Sequence, residues 1–417
     1  MLLLYRIFIS LYTFSISLAK PFSLKARQWV NERNLQKIDF VVPKDSKVVW
    51  FHCASLGEFE QGLPLIQYIK KYYPSYKIVL TFFSPSGYHA KKNFSEVDYV
   101  LYLPSDSKKN AADFIKNIKP DFAFFIKYEF WYNYILELYK NNIPIFFVAS
   151  IFRKEQYFFK WWGKSFIKIL GGVDCFFLQD NNSETLLKQH GIKNMIVSGD
   201  TRFDRVHDAV KLRKTLPHIE SFCSNKKVLV AGSTWKPDER LIIKYLNSEN
   251  FDKNNCKAII VPHEINNDHI QELIASIKLK AITYSDLLVN NNYDCDVLII
   301  DSIGILLSVY HYAHFAYIGG GFGKGIHNIL EASAYGIPVV FGKKYYKFNE
   351  AKLLINIGGA FTISKENELF DIFDKLFFNY DFYSKSSDKS KEYMNNNKGA
   401  VKLIFEYLDK LYFQNTL

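Results

Sequence analysis

Residues 317–342 read YIGGGFGKGIHNILEASAYGIPVVFG, and the way this stretch is parsed decides the fold of the chain. A buried strand ends at Tyr317-Ile318. A loop with Gly319, Gly320, Gly321, Gly323 and Gly325 follows, then a helix opening at His327-Asn328, then a second apolar strand around Val339. Glycine has no Cβ and tolerates positive φ, so such a loop lets backbone N–H groups approach a ligand closely. A helix N-terminus favours an anion. Glu331 lies three residues after Asn328, on the same side of the first turn. The stretch reads either as a phosphate cradle with a carboxylate for sugar hydroxyls, or as a tight turn before a buried helix. A Walker A loop does not fit, because Ile318 stands five residues before Gly323 and Gly325 follows Lys324. The GxGxxG fingerprint finds no register.

Outward from this stretch the same strand–loop–helix unit recurs. Apolar runs such as Lys47–Cys53, Ile78–Phe83, Phe122–Ile126, Ile145–Ala149, Val228–Ala231 and Ala258–Val261 alternate with helical segments. Near-continuous apolar strands separated by helices predict parallel sheets covered on both faces. Apolar pattern gives way to charge and polarity from Thr201 to Asn225. The expected organisation is therefore a hydrophobic segment over 1–20, a Rossmann-like domain over 21–205, a linker over 206–225, a second Rossmann-like domain over 226–390, and a terminal helix over 391–417. Two doubly wound α/β domains would face a cleft, with ligands at the carboxyl ends of the strands.

A chain of 417 residues accommodates two such cores. Its 48% hydrophobic and 17% aromatic content excludes a disordered protein. The net charge of +11 suits an anionic partner: nucleic acid, an acidic membrane or a phosphorylated substrate. The basic residues are scattered without a long tract, which sets nucleic acid aside. Five widely spaced cysteines with no CxxC predict reduced, buried thiols.

Leu2 to Ala19 is apolar with only Arg6 charged, and Lys20, Lys25, Arg27 and Arg33 follow. The segment reads as an uncleaved membrane anchor with the body of the protein kept cytoplasmic. A cleaved signal and a helix packed on the globular body are the rival readings.

Several constellations could carry chemistry. Ser55-Leu56-Gly57-Glu58 follows the first strand, and Glu58 could be a general base or a helix-start carboxylate complementing the dipole. Lys127-Tyr128-Glu129-Phe130-Trp131 sits at another strand end, where Glu129 could line the same site. Gln156–Leu170 (QYFFKWWGKSFIKIL) mixes aromatics and lysines as a membrane-facing helix does, or as a core helix with a solvated edge. Gly232-Ser233-Thr234-Trp235 could hold a phosphate or cap the next helix. Asp294-Cys295-Asp296 reads as a turn, and His311 with His314 lacks further ligands; no metal is expected.

Taken in order, these motifs resemble the 3-deoxy-D-manno-octulosonic acid (Kdo) transferases of lipopolysaccharide synthesis. The family's S-x-G-E is similar to Ser55–Glu58 and its T-E-L-W to Tyr128–Trp131. G-N-x-K-F-D is similar to Gly199–Asp204, and A-x-S-T to Ala231–Thr234. G-G-x…G-x-H-N-x-x-E is similar to Gly319-Gly320 through Gly325, His327, Asn328 and Glu331. F-G-P…F-x-E is similar to Phe341-Gly342 and Phe348–Glu350. The resemblance runs from the N-terminus to about Phe361. It implies a GT-B fold and inverting, metal-independent transfer of Kdo from CMP-Kdo to a lipid A precursor, with no cofactor. It implies catalytic roles for Glu58 and Glu129, and a donor site containing Ser233, Thr234, His263, Gly320, Gly321, His327, Asn328 and Glu331. The sequence departs from the family at Lys127, where a second acidic residue is usual, at Tyr132 in place of proline, and at Trp235 in place of histidine. Pro262-His263-Glu264 lacks the usual arginine, so His263, Arg202, Lys324 and Lys343 are the candidate cations for the donor phosphate. The alternatives are a GT-B enzyme acting on a UDP-sugar, as a transferase or 2-epimerase, and a membrane-tethered nucleotide-binding protein without turnover.

Overall fold

Two parallel seven-stranded sheets organise the chain, each in its own compact unit: residues 1–205 with 398–417, and residues 206–397. The computed structural model describes residues 2–36 and 46–413.

The first unit runs α1 (Leu2–Ala19), α2 (Leu24–Leu35), β1 (Val48–Cys53), α3 (Leu56–Tyr72), β2 (Lys77–Phe82), α4 (Pro85–Lys91), β3 (Tyr99–Tyr102), α5 (Lys108–Ile118), β4 (Phe122–Ile126), α6 (Tyr132–Lys140), β5 (Ile145–Ser150), α7 (Lys164–Leu170), β6 (Cys175–Leu178), α8 (Asn181–Gln189), β7 (Met195–Val197) and α9 (Thr201–Lys211). Its sheet order is β3-β2-β1-β4-β5-β6-β7. Side chains alternate across a strand, and β1 shows the result: Val48 and Trp50 enter one core, Val49, Phe51 and Cys53 the other. Burial on both faces explains why β1 lacks any polar–apolar alternation. The order reverses at β1 and β4, so their carboxyl ends form the switch point where doubly wound sheets place ligands.

The second unit contains α10 (Pro217–Cys223), β8 (Lys227–Thr234), α11 (Lys236–Leu246), β9 (Cys256–Pro262), α12 (Asn267–Ser276), β10 (Ala281–Thr283), α13 (Tyr284–Asn290), β11 (Val297–Ile299), α14 (Leu306–Val309), β12 (Phe315–Ile318), α15 (Leu330–Ser333), β13 (Val339–Gly342), α16 (Asn349–Ile357), β14 (Ala360–Ile363), α17 (Glu366–Phe378) and α18 (Tyr380–Asn397). The sheet order is β10-β11-β9-β8-β12-β13-β14, with its switch point between β8 and β12. The chain then returns to the first unit as α19 (Ala400–Leu408), whose Ile404, Phe405 and Leu408 join the core around Phe51 and Phe124.

Three segments differ from their sequence reading. The expected helix over Gln156–Leu170 is two 3-10 turns, Tyr157–Phe159 and Trp161–Gly163, followed by the short α7. The chain doubles back there: a Cβ on Gly163 would lie 2.3 Å from the Tyr157 carbonyl oxygen. The polar stretch expected as a linker over 206–225 holds the end of α9 and all of α10, and the expected boundary at 390 falls inside α18. The last four residues of the expected terminal helix, 414–417, lie outside the described residues. All five cysteines are free and buried.

Candidate active site

At the switch point of the first sheet, β1 ends at Cys53 and Ser55 caps α3. The Ser55 backbone N–H donates to Glu58 Oε2 at 2.8 Å, and the Ser55 hydroxyl donates to the same oxygen at 3.2 Å. Glu58 thus does what a helix-start carboxylate does, yet it is only 8% exposed. Burial raises its carboxyl above the usual range, against the pull of Lys127 and the Ser55 bonds. Glu129 follows β4, the neighbouring strand. Burial raises it as well, and the Glu58 charge raises it further. Two carboxyls under mutual pressure at a strand-end switch point can hold and exchange one proton. Lys127, where the resemblance leads to an acidic residue, favours the charged form of both. Its backbone has φ 65°, a left-handed conformation in a residue with a Cβ, and such local strain gathers at functional turns.

Beneath Glu129 lies a network that the sequence reading did not single out. His52 on β1 is fully buried. Trp131 Nε1 lies 2.9 Å from His52 Nε2, and His52 Nδ1 lies 2.9 Å from Thr81 Oγ1. An indole nitrogen can only donate, so Nε2 accepts and the proton sits on Nδ1, donated to Thr81. Thr81 also accepts from Trp50 Nε1 at 2.8 Å and donates to the Phe51 carbonyl at 3.2 Å. Burial pushes the His52 imidazole down to about 3, so it is neutral. Its Nε2 stands 3.9 Å from Glu129 Oε2. A lone histidine in an apolar strand reads as core from sequence; only the β1–β2 register, which pairs His52 with Thr81, reveals the network.

Arg202 is held locally. Its Nε and Nη2 donate to Asp200 Oδ2 at 2.9 and 2.7 Å. Burial alone would raise Asp200, but Arg202 and Gln61 hold its carboxyl below the usual range. Gln61 on α3 donates to Asp200 at 3.0 Å, and Thr201 donates to the Gln61 carbonyl at 2.6 Å.

In the second unit the end of β8 and the loop after β12 meet at the switch point. Ser233 adopts φ 53° and Thr234 is buried, its hydroxyl donating to Glu239 at 3.0 Å. Asp238, also unremarked in the sequence, ties the two segments together. It accepts the Gly320 and Trp235 N–H groups at 2.9 and 3.0 Å and the Tyr317 hydroxyl at 2.8 Å. Gly320 has φ 91°, and a Cβ on Gly321 would lie 2.5 Å from the Gly342 Cα. The loop is shaped from within, since Gly323 and Gly325 donate to the Gly320 carbonyl and His327 to the Gly319 carbonyl.

The helix expected at His327-Asn328 begins at Leu330 and is four residues long. Asn328 Oδ1 accepts the Leu330 N–H at 3.1 Å, and its amide donates to Glu331 at 3.0 Å. Asn328 and Glu331 do share one side of the turn, but a macrodipole contributes little in so short a helix. Three rings line the turn: Trp235 stacks on His263 at 4.6 Å, His263 on His327 at 4.4 Å, and Trp235 Nε1 donates to His327 Nε2 at 3.0 Å. Of the candidate cations, Lys324 and Lys343 are exposed. Lys344, the neighbour of Lys343, reaches the loop instead, donating to the Gly323 carbonyl at 2.8 Å. Among the described residues no three His, Cys, Asp or Glu side chains gather in a metal-holding group. Asp294 pairs with Lys280 at 2.6 Å, and His314 Nε2 donates to the Leu376 carbonyl at 3.0 Å.

Two doubly wound parallel sheets with helices on both faces define a GT-B protein, and the solved structures agree. The UDP-GlcNAc 2-epimerase from Neisseria meningitidis bound to UDP-GlcNAc superposes with a TM-score of 0.60 at 17% identity, over 87% of this chain and 100% of that one. That likeness is one of fold. A family model described as 3-deoxy-D-manno-octulosonic-acid transferase (kdotransferase) matches residues 27–205, a span holding Glu58, Glu129 and Arg202. The 3-deoxy-D-manno-octulosonic acid transferase of Rickettsia prowazekii (strain Madrid E) is 28% identical over 381 residues, covering 87% of this chain and 78% of the relative. That of Aquifex aeolicus (strain VF5) is 28% identical over 326 residues, covering 77% and 83%. The chain is a glycosyltransferase of the GT-B type. Its similarity to proteins named Kdo transferases extends over most of the chain at 28% identity.

Proposed function

We propose that this enzyme transfers Kdo from CMP-Kdo to a lipid A precursor in lipopolysaccharide synthesis, with inversion at the anomeric carbon. The observation that carries the reading is buried Glu58 with half-buried Glu129 beside it at the β1/β4 switch point, within the span that the Kdo transferase family model matches. Glu58, as carboxylate, takes the proton of the acceptor hydroxyl while that oxygen bonds to the anomeric carbon. The bond from that carbon to the donor phosphate breaks, and cytidylate leaves with the electron pair. Glu129 tunes the proton affinity of Glu58, and Lys127 keeps the pair available in its ionised form.

The second unit takes the donor. Ser233 and the Gly320–Gly321 backbone frame the phosphate, and Thr234 fixes the turn from beneath. His263 and His327 supply its polar contacts, Asn328 orders Glu331, and Glu331 meets the ribose. Arg202 and Lys343 complete the set of groups offered to the substrates' anions. The +11 charge suits a phosphorylated acceptor, and α1 suits an inner-membrane setting on the cytoplasmic face.

The test is Glu58→Ala, assayed by product mass spectrometry with a lipid A precursor and CMP-Kdo generated in the assay. Turnover should fall about 10²–10⁴-fold while CMP binding persists. Near-normal turnover refutes the assignment. Competition between CMP and UDP separates this reading from a UDP-sugar enzyme.

A further inference from the structure

We infer that α1 is an in-plane membrane-docking surface, lying along the bilayer interface with one face fixed to the first unit, and not a transmembrane span. How the helix meets lipid is independent of which sugar is transferred.

α1 is tied to the first unit at its first turns and along its middle. At its first turns the Tyr5 hydroxyl donates to Asp106 Oδ2 at 2.5 Å, and Arg6 Nε donates to Asn133 Oδ1 at 3.0 Å. Asp106 is buried and also accepts the Asn133 and Tyr134 backbone N–H groups, both at 3.1 Å, so the clamp is anchored at the start of α6. The Tyr5 ring meets Tyr132 at 5.1 Å and Phe166 at 5.9 Å. Further along, Ile9 is buried and Tyr12 stacks on Phe83 at 6.4 Å. Beyond its far end, Arg33 of α2 donates to the carbonyls of Leu103 and Phe83. A helix crossing the bilayer with the body on one side would carry Tyr5 and Arg6 to the opposite side, away from Asp106 and Asn133.

The other face of α1 is apolar and open. Leu3, Leu4, Phe8, Leu11, Phe14 and Leu18 are each roughly 60–70% exposed, a stripe without a charge. Exposed apolar stripes of this size mark interaction sites. The occupant is an anionic lipid surface, because the rim of the stripe is basic. Lys25 and Arg27 follow it, and the turn carrying exposed Trp161, Lys160 and Lys164 leads into α7, whose Phe166 touches Tyr5. Interfacial helices show this combination of an apolar face, basic flanks and tryptophan.

Spin labels at Leu4→Cys, Leu11→Cys and Leu18→Cys test it on the full chain, since these positions share one exposed face and the five native cysteines are buried. Depth is read by power saturation on vesicles of phosphatidylethanolamine with phosphatidylglycerol. The expected result is three equal, shallow depths of about 5–10 Å, with weaker binding to phosphatidylcholine vesicles. A label at residue 11 near the bilayer centre with residues 4 and 18 near opposite interfaces overturns the inference. So does the absence of immersion at all three positions, and equal binding to neutral vesicles overturns the choice of an anionic surface.

Discussion

Trp131 donates its indole N–H to His52 Nε2 across 2.9 Å, and this one bond determines which nitrogen of a fully buried imidazole carries the proton. The same Nε2 is 3.9 Å from Glu129, so tautomer, indole and carboxylate form one unit beside Glu58. Trp131→Phe keeps an aromatic ring but removes the donor, leaving a buried acceptor unsatisfied. Such a loss costs about 1–3 kcal/mol, readable as a lower urea midpoint with an unchanged slope. Turnover should fall further than stability alone explains, because Glu129 loses the support that orients it. A Trp131→Phe enzyme with wild-type stability and rate would show that the network is incidental.

Lys127 favours the ionised form of both Glu58 and Glu129. Replacing it with methionine removes that pull and leaves burial and mutual repulsion to act alone. The acidic limb of kcat/KM should then move to higher pH, so that activity falls near neutrality and recovers in part on the alkaline side. A purely structural role for Lys127 would lower the rate at every pH without moving the limb.

The same raised carboxyls make a stability prediction whose sign is fixed. Glu129 has a folded-state pKa above the unfolded value of about 4.3. Its contribution to stability is therefore present below that value and lost as pH rises through the raised pKa. Glu129→Gln cannot ionise, so it should gain stability relative to wild type as pH climbs from the ordinary carboxylate range into the alkaline one. Chemical unfolding at several pH values measures this; a constant difference across pH would deny the burial of the charge.

These predictions separate what the sequence makes legible from what it hides. The sheets are legible because strands buried on both faces, such as Phe122–Ile126, must be apolar throughout, and the glycine loop is legible because glycines cluster where backbone approaches backbone. The segment 156–170 misleads because its aromatics are compatible with helical spacing, while Gly163 reverses the chain. Likewise the polarity of 206–225 reflects partly exposed helices, where a linker was expected. His52 and Asp238 are invisible for another reason. Each acquires its meaning from partners distant in sequence: Thr81 and Trp131 for the one, Tyr317 and Gly320 for the other.

In the glycine loop, Gly321→Ala should destabilise by about 1–3 kcal/mol as overpacking does, because its Cβ would sit 2.5 Å from backbone atoms of Gly342 that no rotamer change can move. Gly323→Ala is the control, since its nearest neighbour would be the Gly320 oxygen at 3.5 Å, an ordinary contact. Thermal unfolding compares the two. Equal melting temperatures would remove close backbone approach as the reason for glycine at 321.

The stacked rings of the second unit offer a titration that reports on the donor site directly. Burial first, and then the neighbouring His263, hold the His327 imidazole below its usual range. The Trp235 N–H acts in the same direction, because His327 Nε2 can accept it only while unprotonated. His263→Gln removes the repulsion and Trp235→Phe removes the donor, so each should bring the His327 titration closer to the ordinary value of about 6.5, followed by NMR of the ring protons. A phosphate bound beside the pair should raise it too, because an anion stabilises the imidazolium. Added CMP therefore serves as the decisive arm. If CMP shifts His327 upward in wild type and binds more weakly in His263→Gln, the two histidines replace the missing arginine as the groups that meet the donor's charge. If CMP leaves His327 unmoved, that charge is met elsewhere.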